Sequence, residues 1–137
     1  MAIPSRVPIA HEPGYRTDTI GTYDDGQFFG SVTAVLVPGD KRWYAVLHRF
    51  DAGGRHRESE IRAAGSPGEA SELLTGWLGA LPGRAFGDIA VGLFQVEVDG
   101  HVFGLIDGSE EYDGEDHAEL VPDMLGFDDP WDGLYDT

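Results

Sequence analysis

Carboxylates and aromatic rings are the chemically most distinctive side chains of this sequence, and they are concentrated towards its C-terminus. One tryptophan stands among three aspartates, and a tyrosine follows: Asp128, Asp129, Trp131, Asp132 and Tyr135. An aromatic anchor surrounded by carboxylates is suited to a tight contact with a basic partner. We therefore predict that these five residues bind a partner. The alternative is that Trp131, Leu134 and Tyr135 dock the C-terminus onto the core.

The segment 107–119 is a second acidic stretch and contains seven carboxylates. These charges would widen the negative field and accelerate association with a basic partner by electrostatic steering. The residues that we assign to this role are Glu110, Glu111, Asp113, Glu115 and Asp116. A calcium loop of the EF-hand type needs glycine at its sixth position and glutamate at its twelfth, where a loop starting at Asp107 has Tyr112 and Ala118. We predict no metal site.

Residue types that carry out catalysis are present, but not in the spacings that catalysis requires. The chain has no cysteine and a single lysine, so the sequence contains neither a catalytic thiol nor a phosphate-binding glycine loop with its lysine. Its five histidines are scattered without zinc-ligand spacing. His48 and His56 flank one turn, but regular pairing would place them on opposite faces of a sheet. We predict a non-enzymatic protein with no catalytic residue and no cofactor.

The charge of the chain is strongly one-sided. The net charge is −16, all nine basic residues precede residue 85, and residues 88–137 hold fifteen acids and no base. Nucleic acids and anionic membranes attract basic surfaces, so we expect neither as a direct partner. A basic protein is the better match, and the alternative is that the acids serve solubility. No apolar run has the length of a signal peptide or a membrane helix, so we expect a cytoplasmic protein.

Turn signals and alternating apolar residues predict the strands that position these groups. The segments that have this pattern are Thr17–Tyr23, Gln27–Val37, Arg42–Phe50, Arg55–Ala64, Asp88–Val98 and His101–Asp107, with His117–Val121 as a further short strand. Arg42–Phe50 is apolar on both faces, which predicts a central strand covered on both sides. The polar strand Arg55–Ala64 suits a sheet edge.

One helix is clearly signalled. Ser66, Pro67 and Glu69 form a capping box with serine at the N-cap and proline at the first helical position. One apolar stripe follows, and Pro82 with Gly83 ends the helix; the stripe is formed by Leu73, Leu74, Trp77, Leu78 and Leu81.

These elements predict one α+β domain over residues 1–137. Its fold would be an antiparallel meander sheet of six to seven strands with one helix packed on one face, in the order ββββαββ(β). Residues 1–16 would form an irregular lead-in, because they contain three prolines and a glycine. Residues 108–137 would form an acidic, loop-rich C-terminal segment.

Three stretches carry a resemblance to a known group of proteins: HEPGYRTDTIGTYDDGQFFGSV, KRWYAVLHRFD and PWDGLYDT. They resemble a family of short, acidic actinobacterial proteins, some of which are labelled formate hydrogenlyase regulatory protein. The resemblance implies an actinobacterial host and a regulatory role, but brings no catalytic motif.

From these observations we expect an acidic binding protein that captures a basic protein partner, as an immunity or inhibitor protein does. The alternative is a regulatory or sensing domain that binds a small molecule or a divalent cation between sheet and helix.

Overall fold

A computed structural model describes residues 3–137, which form three antiparallel sheets and one α-helix. In chain order the strands are β1 (Val7–Ile9), β2 (Ile20–Tyr23), β3 (Gly26–Val37), β4 (Asp40–Phe50), β5 (His56–Ala64), β6 (Ala85–Phe86), β7 (Ile89–Val91), β8 (Phe94–Val98), β9 (His101–Asp107), β10 (His117–Val121) and β11 (Leu125–Asp128). Helix α1 (Pro67–Gly79) follows β5, and a 3-10 turn (Ser109–Tyr112) follows β9.

The strands divide into a five-stranded sheet, a four-stranded sheet and one separate pair. The five-stranded sheet has the order β5-β4-β3-β2-β6 and the four-stranded sheet has the order β11-β10-β9-β8. Strands β1 and β7 pair with each other. The prediction that the polar strand β5 lies at a sheet edge is confirmed.

Strand β4 is buried on both faces, as predicted. On one face Ala45 and Leu47 pack with Leu74 and Leu78 of helix α1. On the other face Tyr44 packs with Phe103 of strand β9, in the second sheet. The domain therefore has three layers, with the five-stranded sheet between the helix and the four-stranded sheet.

The predicted fold, an α+β domain built on a single meander of six to seven strands with one helix on one face, is wrong. Residues 3–137 are mostly β, with eleven strands in three sheets and one α-helix. The predicted strand Asp88–Val98 is interrupted at Gly92 and Leu93: its first part pairs with β1, and its second part begins the four-stranded sheet. The physical reason is that one helix covers only one face of the first sheet. The opposite face requires a second cover, which β8–β11 supply.

Both ends of the chain contain more strand than predicted. The predicted irregular lead-in contributes β1, and its first two residues, Met1 and Ala2, lie outside the described residues. The C-terminal segment 108–137 contributes β10 and β11 to the second sheet, so it is not simply a loop. The expected short strand His117–Val121 is confirmed as β10.

The start of helix α1 agrees with the predicted capping box in all but one contact. The Ser66 side chain accepts a hydrogen bond from the Glu69 N–H, and Pro67 is the first helical residue. The Glu69 carboxylate accepts from the N–H of Gly65, one residue before the N-cap, instead of from Ser66.

A bulge in the β4–β5 pair brings His48 and His56 onto the same face, so the prediction of opposite faces is wrong. The register shifts between Arg49 and Phe50, so that Phe50 lies opposite His56. Both imidazoles reach the Ser59 hydroxyl, with His48 Nδ1 at 2.6 Å and His56 Nε2 at 2.8 Å. Burial, with a smaller contribution from His56, lowers the pKa of His48 to about 3.

We predict that His48 makes folding sensitive to acid. The folded state keeps this ring neutral, whereas the unfolded state protonates it near its ordinary pKa of 6.5. Stability is therefore lost as the pH falls from 6.5 towards 3, at about 1.4 kcal/mol of unfolding free energy per pH unit. The His48→Asn variant, which has no ring to titrate, should lose this dependence when both proteins are unfolded with urea at pH 7.5, 6, 5 and 4.

The quantity to compare is the difference in unfolding free energy between the two proteins. This difference isolates His48 from other groups such as Asp123, whose burial raises its pKa to about 6 and gives a slope of opposite sign. If the substitution lowers the stability by the same amount at every pH, this difference shifts by a constant and its slope against pH does not change. A difference that stays constant across the four pH values would contradict the prediction.

Candidate functional site

The hairpin β10–β11 brings the two acidic segments of the sequence together. His117 at the start of β10 pairs with Asp128 at the end of β11, so the chain enters and leaves the hairpin at the same place. The residues just outside this open end form a surface cleft of about 530 Å³, which is lined by Gly114, Glu115, Asp116, Asp128, Asp129 and Trp131. We call this cavity the acidic cleft.

Five of the ten residues that we predicted as partner-binding line the acidic cleft. They are Glu115, Asp116, Asp128, Asp129 and Trp131. Asp132 and Tyr135 line a smaller neighbouring cavity of about 170 Å³, which also includes Asp128. Glu110, Glu111 and Asp113 are exposed on or beside the 3-10 turn, outside the lining of both cavities.

Trp131 both packs against the core and lines the acidic cleft. It is partly buried against the cluster that contains Phe127 and Leu125. Its N–H donates a hydrogen bond of 2.8 Å to the Asp128 carbonyl, which closes the turn after β11. The backbone of Trp131 has φ 59°, in the left-handed region where a bulky residue is uncommon and costs about 1 kcal/mol or more. The turn therefore holds a large ring at the cleft despite a local conformational penalty.

The end of the chain is docked by hydrogen bonds and ring contacts. Asp136 exchanges two backbone hydrogen bonds with Gly126, at 2.8 and 3.0 Å. The Tyr135 hydroxyl lies 3.0 Å from the Thr17 hydroxyl, and its ring packs near Phe127. Leu134, by contrast, is 65% exposed. Tyr135 is therefore docked onto the core, whereas Leu134 is not. Trp131 is partly docked and also lines the acidic cleft.

His117 lies beneath the acidic cleft, between its two halves. The ring is buried and stacks on Tyr112, with 3.8 Å between the ring centroids. Its Nδ1 is 3.8 Å from a carboxylate oxygen of Asp128. A Cβ at Gly126 would lie only 2.8 Å from this ring, so the glycine leaves the space that the imidazole occupies. The ring thereby links the 3-10 turn to strand β11.

The lining of the acidic cleft contains four carboxylates and no basic side chain. Arg49 forms ion pairs at 3.1 and 2.8 Å with Glu58 and Glu60 of the neighbouring strand, within the first sheet. The charge of this arginine is therefore balanced locally.

Sequence reasoning missed a second cavity of about 290 Å³ beside helix α1 and strand β3. Its lining includes Arg16, Ser31 and Asp123. One signal was available: Asp123 is a single acid within the otherwise apolar run Val121–Leu125, and a carboxylate in such a run is a candidate for burial. The neighbours of Asp123 depend on how the second sheet packs against the first. The predicted meander had no second sheet, so these neighbours could not be predicted.

We predict that the carboxylates of the acidic cleft repel one another at low salt. The Asp129→Asn variant should therefore raise the free energy of unfolding by about 0.3 kcal/mol or more in 20 mM salt, and by less in 0.5 M salt, where repulsion is screened. Asp25→Asn is the matched control, because Asp25 shares a cavity with Arg49 and Arg57 and its removal deletes an attraction. Equal effects of the two variants in urea titrations would argue against charge repulsion in the cleft.

No family model, curated protein or solved structure matches this chain. None of the helices within residues 3–137 has the length and apolar character needed to cross a lipid bilayer. In the same part of the chain, no three histidine, aspartate or glutamate side chains are grouped so that they could hold a metal ion.

Proposed function

We propose that this protein is a non-enzymatic, cytoplasmic binding protein that captures a basic protein partner through the acidic cleft. The observation that carries the proposal is the meeting of residues 114–116 with residues 128–131 at one end of the β10–β11 hairpin. Two stretches of acidic sequence thereby contribute to a single surface, with one aromatic ring in it.

The chemistry of the acidic cleft favours arginine as the group that it binds. A guanidinium can stack on the face of the Trp131 indole while its N–H groups donate to carboxylates such as Asp128 and Asp129. Charge-assisted hydrogen bonds of this kind are stronger than neutral ones and specify orientation. Trp131 already packs against the core on one side, so less side-chain freedom remains to be lost when a partner binds.

The acidic residues outside the cleft contribute to the rate of association. Glu110, Glu111 and Asp113 are exposed beside the cleft, and residues 88–137 contain no base. A field of this sign concentrates basic partners near the surface and accelerates encounter in low salt. Enzymes that bind nucleic acid present basic surfaces. The carboxylates of an acidic inhibitor can occupy the positions on such an enzyme where the phosphates of the nucleic acid would bind. We therefore propose an inhibitor or immunity protein as the specific form of this function.

A regulatory or sensing domain for a small molecule is the second candidate. It is favoured by the cavity beside α1 and β3, which contains buried polar side chains and lies apart from the acidic cleft. This candidate needs no basic partner, so the two functions can be tested independently.

We predict that partner capture depends on the position of a charge and not only on the net charge. The test is a pull-down from a lysate of the source organism, washed in 0.15 M and then 0.5 M salt, with mass spectrometry of the retained proteins. Asp129→Lys changes a residue of the acidic cleft, and Glu97→Lys changes an exposed acid on strand β8. Both variants raise the net charge by two, so they weaken the long-range field equally.

The expected result is one basic protein retained in stoichiometric amount by the wild type and by Glu97→Lys. Asp129→Lys should retain at least about tenfold less of this partner, which corresponds to a loss of about 1.4 kcal/mol of binding free energy. Trp131→Ala should also lose the partner, with Trp43→Ala as the control for loss of a half-buried tryptophan elsewhere. Circular dichroism establishes that each bait is folded. If Asp129→Lys and Glu97→Lys lost the partner equally, the interaction would depend on net charge alone, and the acidic cleft would be refuted as its site.

A further inference from the structure

A second cavity, of about 290 Å³, lies beside helix α1 and strand β3, apart from the acidic cleft. Strand β2 pairs with β3 only as far as Phe29, so the segment that precedes β2 covers the next part of β3. Its Thr19 accepts a backbone hydrogen bond from Gly30 and donates its hydroxyl to the Gly30 carbonyl. Ser31 and Val32 line the cavity just beyond this point, and because adjacent residues of a strand face opposite sides of the sheet, the cavity reaches both faces at the edge of β3.

Two buried polar side chains line this cavity. Ser31 is 6% exposed, and its Oγ has no partner within hydrogen-bonding geometry. Asp123, from the turn between β10 and β11, is 8% exposed. Burial raises the pKa of Asp123 to about 6, against the opposing influence of the Ser31 and Thr33 hydroxyls and of Arg16. A buried hydroxyl without a partner is costly unless a ligand or water satisfies it.

The charged groups around the cavity favour a cation. Arg16 is the basic residue of the lining, and its guanidinium donates to the main-chain carbonyl of Asp123. Two carboxylates, Asp18 and Asp123, also line the cavity, so acids outnumber bases there. The net charge of −16 adds to the attraction for a positive ligand.

Part of the remaining wall is apolar, and the rest is formed by the hydroxyl-bearing residues Tyr15, Thr19 and Ser71. Val32 belongs to β3, and Leu74, which is 5% exposed, belongs to α1. A ligand that matches both parts of the lining has a positive donor group at one end and a short hydrocarbon chain at the other. Small-molecule sites commonly combine apolar walls with a few polar groups that fix orientation.

We propose that this cavity binds the primary ammonium group of a small aliphatic amine. The ammonium would donate hydrogen bonds to the Asp123 carboxylate and to the Ser31 hydroxyl, and the alkyl chain would contact Val32 and Leu74. An ammonium has three donors and no acceptor, which complements a site that offers acceptors. A neutral alcohol of the same size would lack the second positive charge that the two carboxylates of the lining, Asp18 and Asp123, attract in addition to that of Arg16.

The test uses n-pentylamine and its neutral isostere 1-pentanol as probes at pH 7.5 in 0.3 M salt. Saturation-transfer NMR on the full chain should give a signal for the methylene protons of pentylamine, and pentanol should bind at least about tenfold more weakly, as loss of a compensating charge predicts. Asp123→Asn should abolish the pentylamine signal. Ser31→Val removes the hydroxyl and fills part of the cavity, so it should do the same.

Asp129→Asn, in the acidic cleft, is the matched control and should leave pentylamine binding unchanged. This control also separates the amine site from the proposed partner function, because each can fail without the other. If Asp123→Asn does not fold by circular dichroism, the Ser31→Val variant decides the question. Equal binding of amine and alcohol, binding that survives both cavity variants, or loss of binding in Asp129→Asn would each overturn the proposal.

Discussion

Strand β4 buries side chains on both of its faces, and neither face can be left in contact with water. Helix α1 covers the face that contains Ala45 and Leu47. The opposite face, with Tyr44 and Val46, requires a second apolar surface, which strands β8 and β9 provide through Val96 and Phe103. This requirement explains why the chain leaves the first sheet after β6 and begins a new one. It also explains where the acidic cleft lies, because the β10–β11 hairpin belongs to the cover and the cleft forms at its open end.

The acidic cleft carries several features that do not favour stability. Four carboxylates of like charge share one lining, and Trp131 adopts a backbone conformation that disfavours large side chains. The core beneath compensates for these costs: Phe127 and Leu125 of β11 are fully buried, and His117 fills the space above Gly126. A fully buried apolar base under a charged surface agrees with the proposed partner site, because such a base fixes the geometry of the site before a partner binds.

Local sequence signals predicted most of the elements but not their assembly into sheets. The capping box at Ser66 and the two-sided burial of β4 follow from residue types and spacing alone. The interruption at Gly92 does not, because the run from Ile89 to Phe94 contains no polar side chain and so gives no pattern that marks a break. Likewise, the bulge at Phe50 that brings His56 beside His48 depends on the register of paired strands, which one strand's sequence does not contain. For the acidic cleft, composition identified the two segments, whereas their meeting required the β10–β11 pairing.

Depth in the fold decides what each carboxylate of the second sheet can do. At the open end of the β10–β11 hairpin, Asp128 and Asp129 are exposed, so water solvates them at little cost and their charge acts over distance. At the turn of the same hairpin, Asp123 has lost most of its water, and its charge is favourable only when a donor is close by. One hairpin thus presents the same chemical group in two settings. The exposed setting suits the encounter with a large basic surface, and the buried setting suits the selection of one small cation by direct contact.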